Sequence, residues 1–478
     1  MNRPQLRTYR RPKLDQGYVL LTGATGLLGQ YLLNDLLTAG WRVAVVVRSS
    51  RRLNALERVE AIIQRWESER GELMSRPVVL EGDVSKNQLG LNAEDIRWCE
   101  DNVTSVIHNA AVVQFEAHDR TQEPWTTNCN GTQFAIDFAK EIGVEDFHYV
   151  STAYVSGRRE GVILEGEFDC GQAFRNAYEE SKFQAEQLVR QQVPGATIYR
   201  PSIIAGDSQT GFTASYHGLM WYLRFLDVLV PQQPKDASGR FHTAINLPVQ
   251  GSEPHNIVTV DFVSTAIASL FARRDARGKT FHLATEHPTT YRQIIEYCYD
   301  IFNSAGVTYG SEKPSQQPSG FAETFFEQSK VYHDYAVCNA TFDLSNLKSF
   351  LPGLSSPKID ETMVRQFMEF GRADKWGKRR EQKPEVPAET VDHLRQFISR
   401  LMLNENQILG VDVCGPGGGQ WTARNQNGHI QLTRGIANDT SSILRLQSRH
   451  LRQDSNIPGS DYNGLRLELS RQFDEFTA

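Results

Sequence analysis

Residues 18–29, YVLLTGATGLLG, constrain the fold more than any other part of the chain. Apolar and β-favouring residues run into glycines at 23, 26 and 29. Such a run predicts a buried strand, a tight turn, and a helix that opens at the turn. Gly23 permits the turn, Gly26 lets a pyrophosphate approach the backbone, and Gly29 lets the helix pack closely on the strand. The helix N-terminus then presents free N–H groups and a positive dipole end to phosphate. Alone, three spaced glycines are equally an ordinary strand–turn–helix, so their meaning rests on the surroundings.

Those surroundings alternate. Candidate strands at 18–22, 42–47, 77–80, 104–108, 147–151 and 196–199 are separated by amphipathic, helix-length segments at 28–39, 54–71, 131–142 and 178–192. Near-continuous apolar strands between helices predict a parallel sheet covered on both faces, and right-handed crossovers make it doubly wound. With 478 residues, two or three domains are expected. After Pro201 the rhythm changes: residues 211–250 are mixed and aromatic-rich, 257–272 read as helix, 278–284 as strand and 310–320 as loop. The expected divisions are a basic tail (1–15), one large domain (16–372), a charged linker (373–389) and a C-terminal α+β unit (390–478). That last unit holds a helix at 390–403, turn and strand signals near 415–421 and 425–432, and an amphipathic stretch at 440–452.

A net charge of −6 argues against nucleic acid as the main partner. Six scattered cysteines with no CxxC pair point to reduced thiols and a cytoplasmic setting, and no metal site is expected. Arg3, Arg7, Arg10, Arg11 and Lys13 are followed by no apolar run, which is not the pattern of a secretory signal. Nothing in the sequence supports membrane-surface contact or fixes an oligomeric state.

Further stations sit where a dinucleotide fold would use them. Arg48 ends the second strand where an acid would bind the ribose hydroxyls of NAD; a guanidinium there complements a 2′-phosphate instead. As the alternative, Arg48, Arg51 and Arg52 are a solvated surface cluster. Asp83, after the third strand, reads as an adenine ligand or as a turn residue. Asn109, Ala110 and Ala111 let backbone pass close to a cofactor. Asn128, at the mouth of the next helix, reads equally as a cap or as part of an active site. Tyr178 and Lys182 share one helical face at spacing i, i+4. In that pair Lys182 would hold a nearby phenol partly ionised, Tyr178 would give a proton to a developing alkoxide, and the Thr152 hydroxyl would bond the substrate oxygen.

Taken together, TGATGLLG, HNAA (108–111), NCNGT (128–132), YVSTAYVSG (149–157), FRNAYEESK (174–182) and YRPSIIAGDSQTG (199–211) resemble the extended short-chain dehydrogenase/reductase superfamily. VSTAYVSGRR, the FxNxYExSK form and RPSIIxGDSxTG resemble its branch of thioester reductase domains and fatty acyl-CoA reductases. The resemblance covers about residues 16–300 and implies a Rossmann sheet with a small substrate lobe. It implies Thr152, Tyr178 and Lys182 as the catalytic set. For NADPH it implies Thr22, Gly23, Thr25, Gly26, Leu27, Gly29, Arg48, Asp83, Val84, Asn109, Ala110, Ala111, Asn128, Tyr178, Lys182, Arg200 and Pro201. Residues 417–446 are faintly similar to the sterol-carrier-protein-2 fold, which implies lipid handling, with an unrelated interaction module as the alternative.

The activity so implied is NADPH-dependent reduction of an acyl thioester to aldehyde or alcohol. No adenylation or carrier domain is legible, so acyl-CoA or a free-standing acyl-carrier protein is expected to bring the substrate. The alternatives are an extended reductase acting on a lipid-like ketone or alcohol, a nucleotide-sugar epimerase or dehydratase, and a non-catalytic cofactor-binding scaffold. Residues 218–230 read first as a core helix, and otherwise as the lining of an acyl tunnel or a membrane-surface segment.

Overall fold

The computed structural model describes residues 17–310, 320–378, 383–387, 390–400, 403–404, 407–440 and 442–453. The expected basic tail lies outside them, as does most of the loop expected at 310–320. Seven strands form one parallel sheet: β1 (Tyr18–Thr22), β2 (Val43–Val47), β3 (Val78–Glu81), β4 (Val103–His108), β5 (Asp146–Val150), β6 (Thr197–Pro201) and β7 (Thr280–Leu283). Their order is β7-β6-β5-β4-β1-β2-β3. The chain therefore winds outward in both directions from β1 and β4, and a crevice opens at the carboxyl ends where the winding reverses.

Around the sheet run α1 (Leu27–Thr38), α2 (Ala55–Arg70), α3 (Ala93–Asn102), α4 (Gly131–Glu141), α5 (Ala177–Gln192) and α7 (Val260–Phe271), while α6 (Leu219–Leu229) and α8 (Tyr291–Phe302) belong to a separate lobe. Alternate strand residues feed different cores. Val19, Leu21, Val43 and Val45 pack with α1, α2 and α7 on one face. Tyr18, Leu20, Ala44 and Val46 pack with α3, α4 and α5 on the other. A strand buried on both faces has no polar side, hence VAVVV at 43–47. Each such Val or Leu contributes roughly 1.5–3 kcal/mol. Local signals agree with the packing: Asn54 and Glu57 form a reciprocal capping box at the start of α2, and Gly71, at φ +71°, ends it.

After β6 the chain builds a lobe with its own core. Ile203–Ala205 pairs in parallel with Ile257–Thr259, and Phe241–Leu247 with Ser304–Tyr309. Helices α6, α8 and Gly320–Ser329 close around them, meeting at Leu223, Phe302, Phe325 and Phe367.

The C-terminal unit is a four-stranded sheet under one helix, Thr390–Arg400. Ile408–Cys414 pairs antiparallel with Gly419–Gln426, which pairs antiparallel with His429–Arg434 across an Asn427-Gly428 turn with both φ positive. Here the structure departs from the expected pattern of a polar turn leading into a helix. Ser442–Gln447 is a strand, parallel to Ile408–Cys414, and only Ser448–Gln453 is helical. The reason is local period: Leu444 and Leu446 are buried while Arg445 between them is exposed, which is alternation of two.

This unit docks at the amino ends of β1 and β2, opposite the crevice. The buried Tyr18 hydroxyl donates to Gln420 Oε1 at 2.7 Å and accepts from the Ile436 amide at 2.7 Å. Arg42 donates to the Ile436 carbonyl and Asn438, Trp98 donates to the Arg434 carbonyl, and Arg434 pairs with Asp95. Tyr18→Phe is expected to strand the Ile436 amide and lower stability by about 1–3 kcal/mol. Chemical denaturation would measure this, with hydrogen exchange rising at residues 420–436; unchanged exchange there would show that the phenol does not hold the unit in place.

Candidate active site

One cavity of about 620 Å³ opens at the carboxyl ends of six strands. Gly23 follows β1, Arg48 follows β2, Asp83 follows β3, and Asn109 to Ala111 follow β4. Ser151 and Thr152 follow β5, and Pro201 closes β6; all border the cavity. Gly23 sits at φ +71°, and a Cβ there would come within 2.7 Å of the Ala110 amide nitrogen. Gly29 plays a packing role, since a Cβ on it would run into the Gly23 carbonyl. Helix α1 starts at Leu27 with Gly26 as its cap, and no side chain occupies its first N–H groups. A helix N-terminus left open behind a glycine cradle fits the pyrophosphate of a nicotinamide dinucleotide.

Thr25, Leu27, Asp83 and Val84 also border the cavity. Partial burial opposes ionisation of Asp83, but hydrogen bonds from Ser85 and the charge of Arg48 outweigh it and hold the carboxyl below its usual range. Sequence reasoning missed Arg58 on α2. It borders the same cavity, donating to the Arg48 carbonyl at 2.6 Å and to Thr25 Oγ1 at 3.1 Å. Arg51 and Arg52 are exposed and do not border the cavity.

Four residues expected to touch cofactor do not border the cavity: Thr22, Gly29, Asn128 and Arg200. Thr22 Oγ1 accepts the Asn109 and Ala110 amides and meets His108 Nδ1, tying the end of β1 to that of β4. Asn128 bonds both backbone groups of Val112 and donates to Ser181 Oγ at 2.9 Å, fastening the β4 loop to α5. Arg200 turns to the opposite face, where it clamps Glu186 at 2.6 and 3.1 Å and the Glu167 carbonyl at 2.8 Å. Buried charge demands such a partner, and the partner keeps Arg200 away from the crevice.

Helix α5, capped by Asn176, carries Tyr178 and Lys182 into the cavity wall. Burial pushes the Tyr178 phenol up to about 12, opposed only in part by its hydrogen bond with Thr152. It is therefore protonated near neutral pH. Lys182 is 1% exposed, and its ammonium donates to Tyr149 Oη at 2.7 Å and to the Val150 carbonyl at 2.8 Å. Burial pushes Lys182 down to about 7, against the pull of Glu186. Its phenol partner is Tyr149 on β5, a residue no motif spacing singled out. Beside it, Thr152 Oγ1 donates to the Pro201 carbonyl at 3.4 Å.

From this point the cavity continues into the lobe. Phe115 stands edge-on to Tyr178 and Tyr332, and Asn176 donates to Tyr335 Oη at 2.9 Å. Beyond this aromatic wall the lining includes Leu219, Leu223 and Leu226 of α6, Ile245, Ile294 and Phe325, with Thr243, His255 and Tyr299 among them. One face of α6 thus faces the cavity, while Met220 packs in the core and Trp221 stacks on Phe225 at 5.1 Å.

The family described as male sterility protein, an NAD-binding family, matches residues 21–267. A linear gramicidin synthase from Brevibacillus parabrevis is 29% identical over 285 residues, which cover 58% of this chain and 5% of that one. A Drosophila melanogaster protein named as a fatty acyl-CoA reductase is 26% identical over 224 residues, 39% of this chain and 41% of its own. The chain therefore spans less than half the length of either relative. The terminal R domain of the myxalamid pathway superposes with a TM-score of 0.58 at 22% identity, covering 77% of this chain and 93% of that one, and so shares the fold.

The depressed Lys182 makes stability depend on pH. The unfolded chain keeps this proton up to 10.5, whereas the folded one releases it near 7. Between those values the unfolded state binds more protons, so stability rises with pH across the window. Below about pH 7 the lysine is charged in both states and the cost of burying it is present in full. Lys182→Met is expected to flatten this rise in denaturation midpoints measured from about pH 7 to about pH 10. An equal slope in wild type and variant would assign the rise to other groups.

Proposed function

Because the chain belongs to the male sterility protein family, we propose that it reduces acyl thioesters to aldehyde or alcohol with NADPH as reductant. The observation that carries this reading is the continuity of the cavity. It joins a dinucleotide cradle, the Thr152–Tyr178 hydroxyl pair and an apolar chamber in one volume.

When bound, the dinucleotide supplies hydride. Thr152 and Tyr178 offer hydroxyl donors to the thioester oxygen as negative charge grows there. Tyr178, raised to about 12, still holds its proton at neutral pH and can pass it to that oxygen. Lys182 lies beneath with a fractional positive charge near pH 7. Breaking the C–S bond of the resulting hemithioacetal releases thiol and aldehyde. Arg48 and Arg58 would put two positive charges at the adenosine end, complementing a 2′-phosphate. The chamber beyond Phe115 suits an aliphatic acyl chain, delivered as acyl-CoA or on an acyl-carrier protein.

The test is NADPH oxidation over an acyl-CoA series with thiol detection. One thiol released per aldehyde formed is expected. Turnover of lipid-like ketones without thiol would replace this reading with the ketone reductase. Arg48→Glu is expected to raise the KM for NADPH by roughly tenfold or more and to leave that for NADH little changed. A separate variant probes the chamber: Leu226→Trp, on the cavity face of α6, is expected to abolish turnover of long chains while sparing short ones. Equal loss at every chain length would place the acyl group elsewhere.

A further inference from the structure

Buried polar groups in folded proteins are almost always hydrogen-bonded, and one without a protein partner marks strain, an ordered water or a ligand. Among the described residues that border the cavity, Ser202 is the one whose buried side-chain oxygen has no partner. The residue is 5% exposed. Its place is fixed from both sides. The Ser202 amide donates to the Leu283 carbonyl at 3.1 Å, and the next amide, of Ile203, donates to the Asn256 carbonyl at 3.1 Å. The preceding carbonyl, of Pro201, accepts the Thr152 hydroxyl. Ile203 packs against both the sheet core and the lobe core. Ser202 therefore stands where the cradle gives way to the apolar chamber, one residue from the backbone oxygen that holds Thr152.

We propose that Ser202 is a third hydroxyl of the reaction site, donating its hydrogen to a carbonyl oxygen of a bound ligand. This rests on the reading of the cavity as a thioester reductase site. Two carbonyl oxygens would serve as the acceptor, that of the thioester and that of the nicotinamide carboxamide. Both are sp² oxygens able to accept one hydrogen bond from a fixed hydroxyl. With ligand present the hydroxyl would be satisfied and would orient the group it bonds.

Ser202→Ala and Ser202→Cys in the full chain test this through three readouts: melting temperature, NADPH affinity by fluorescence titration without acyl substrate, and kcat and KM for an acyl-CoA. Ser202→Ala is expected to melt no lower than wild type, because it removes an unsatisfied buried hydroxyl. It should also lose roughly tenfold in function, with Ser202→Cys falling between. A loss in NADPH affinity identifies the carboxamide as acceptor. A loss in kcat at unchanged NADPH affinity identifies the thioester. Function within twofold of wild type on every readout overturns the proposal, as does a lowered melting temperature that accounts for the losses. Should the wild type turn over no thioester, the reading of the reaction fails, and NADPH affinity alone decides Ser202, unchanged affinity overturning it.

Discussion

A parallel sheet covered by helices on both faces leaves water and ligands only the ends of its strands, and this constraint distributes every other feature of the molecule. Polar loops cannot cross a face without stranding backbone groups, so they gather at the two ends. The carboxyl ends, where the winding reverses, hold the cavity. At the amino ends of β1 and β2 the four-stranded unit covers what would otherwise be an open, polar rim. Chemistry and assembly thus use opposite ends of the same strands, and the described part of the C-terminal unit contributes no side chain to the cavity wall.

Behind α5, the helix that carries Tyr178 and Lys182, lies a buried charge cluster that serves position. Glu186 is fully buried, and burial alone would neutralise it. Arg200 and Arg190 with the Ser151 hydroxyl instead hold it down at about 2, ionised at any working pH. The Ser151 hydroxyl is thereby turned toward Glu186, and its neighbour Thr152 faces Tyr178. The two adjacent hydroxyls have opposite tasks because successive residues at a strand end point to opposite faces.

Much of this was legible in the sequence, for identifiable reasons. The first two strands are apolar runs, the others are rich in apolar and β-favouring residues, and Gly23 and Gly29 are demanded by contacts too close for a Cβ. Tyr178, Lys182 and Thr152 lie in short motifs whose spacing survives folding. Other features depend on distance the sequence does not express. Lys182 meets Tyr149 because β5 runs alongside α5, and Arg58 reaches Thr25 from a different helix. Arg200, attractive beside Pro201, faces away because strand alternation sends it to Glu186. Ser442–Gln447 formed a strand because a period of two outweighs amphipathic character over so few residues.

Tyr18 and Gln420 stand 402 residues apart in the chain, yet share a buried hydrogen bond. During synthesis the sheet can close long before its lower rim is covered. Until residues 420–436 emerge, Tyr18, Arg42 and Trp98 remain open to solvent and to other nascent chains. The contacts that cover this end are among the longest in sequence, and closing so long a loop carries a high entropic cost. The seal over this end of the sheet thus depends on a segment some 400 residues further along the chain.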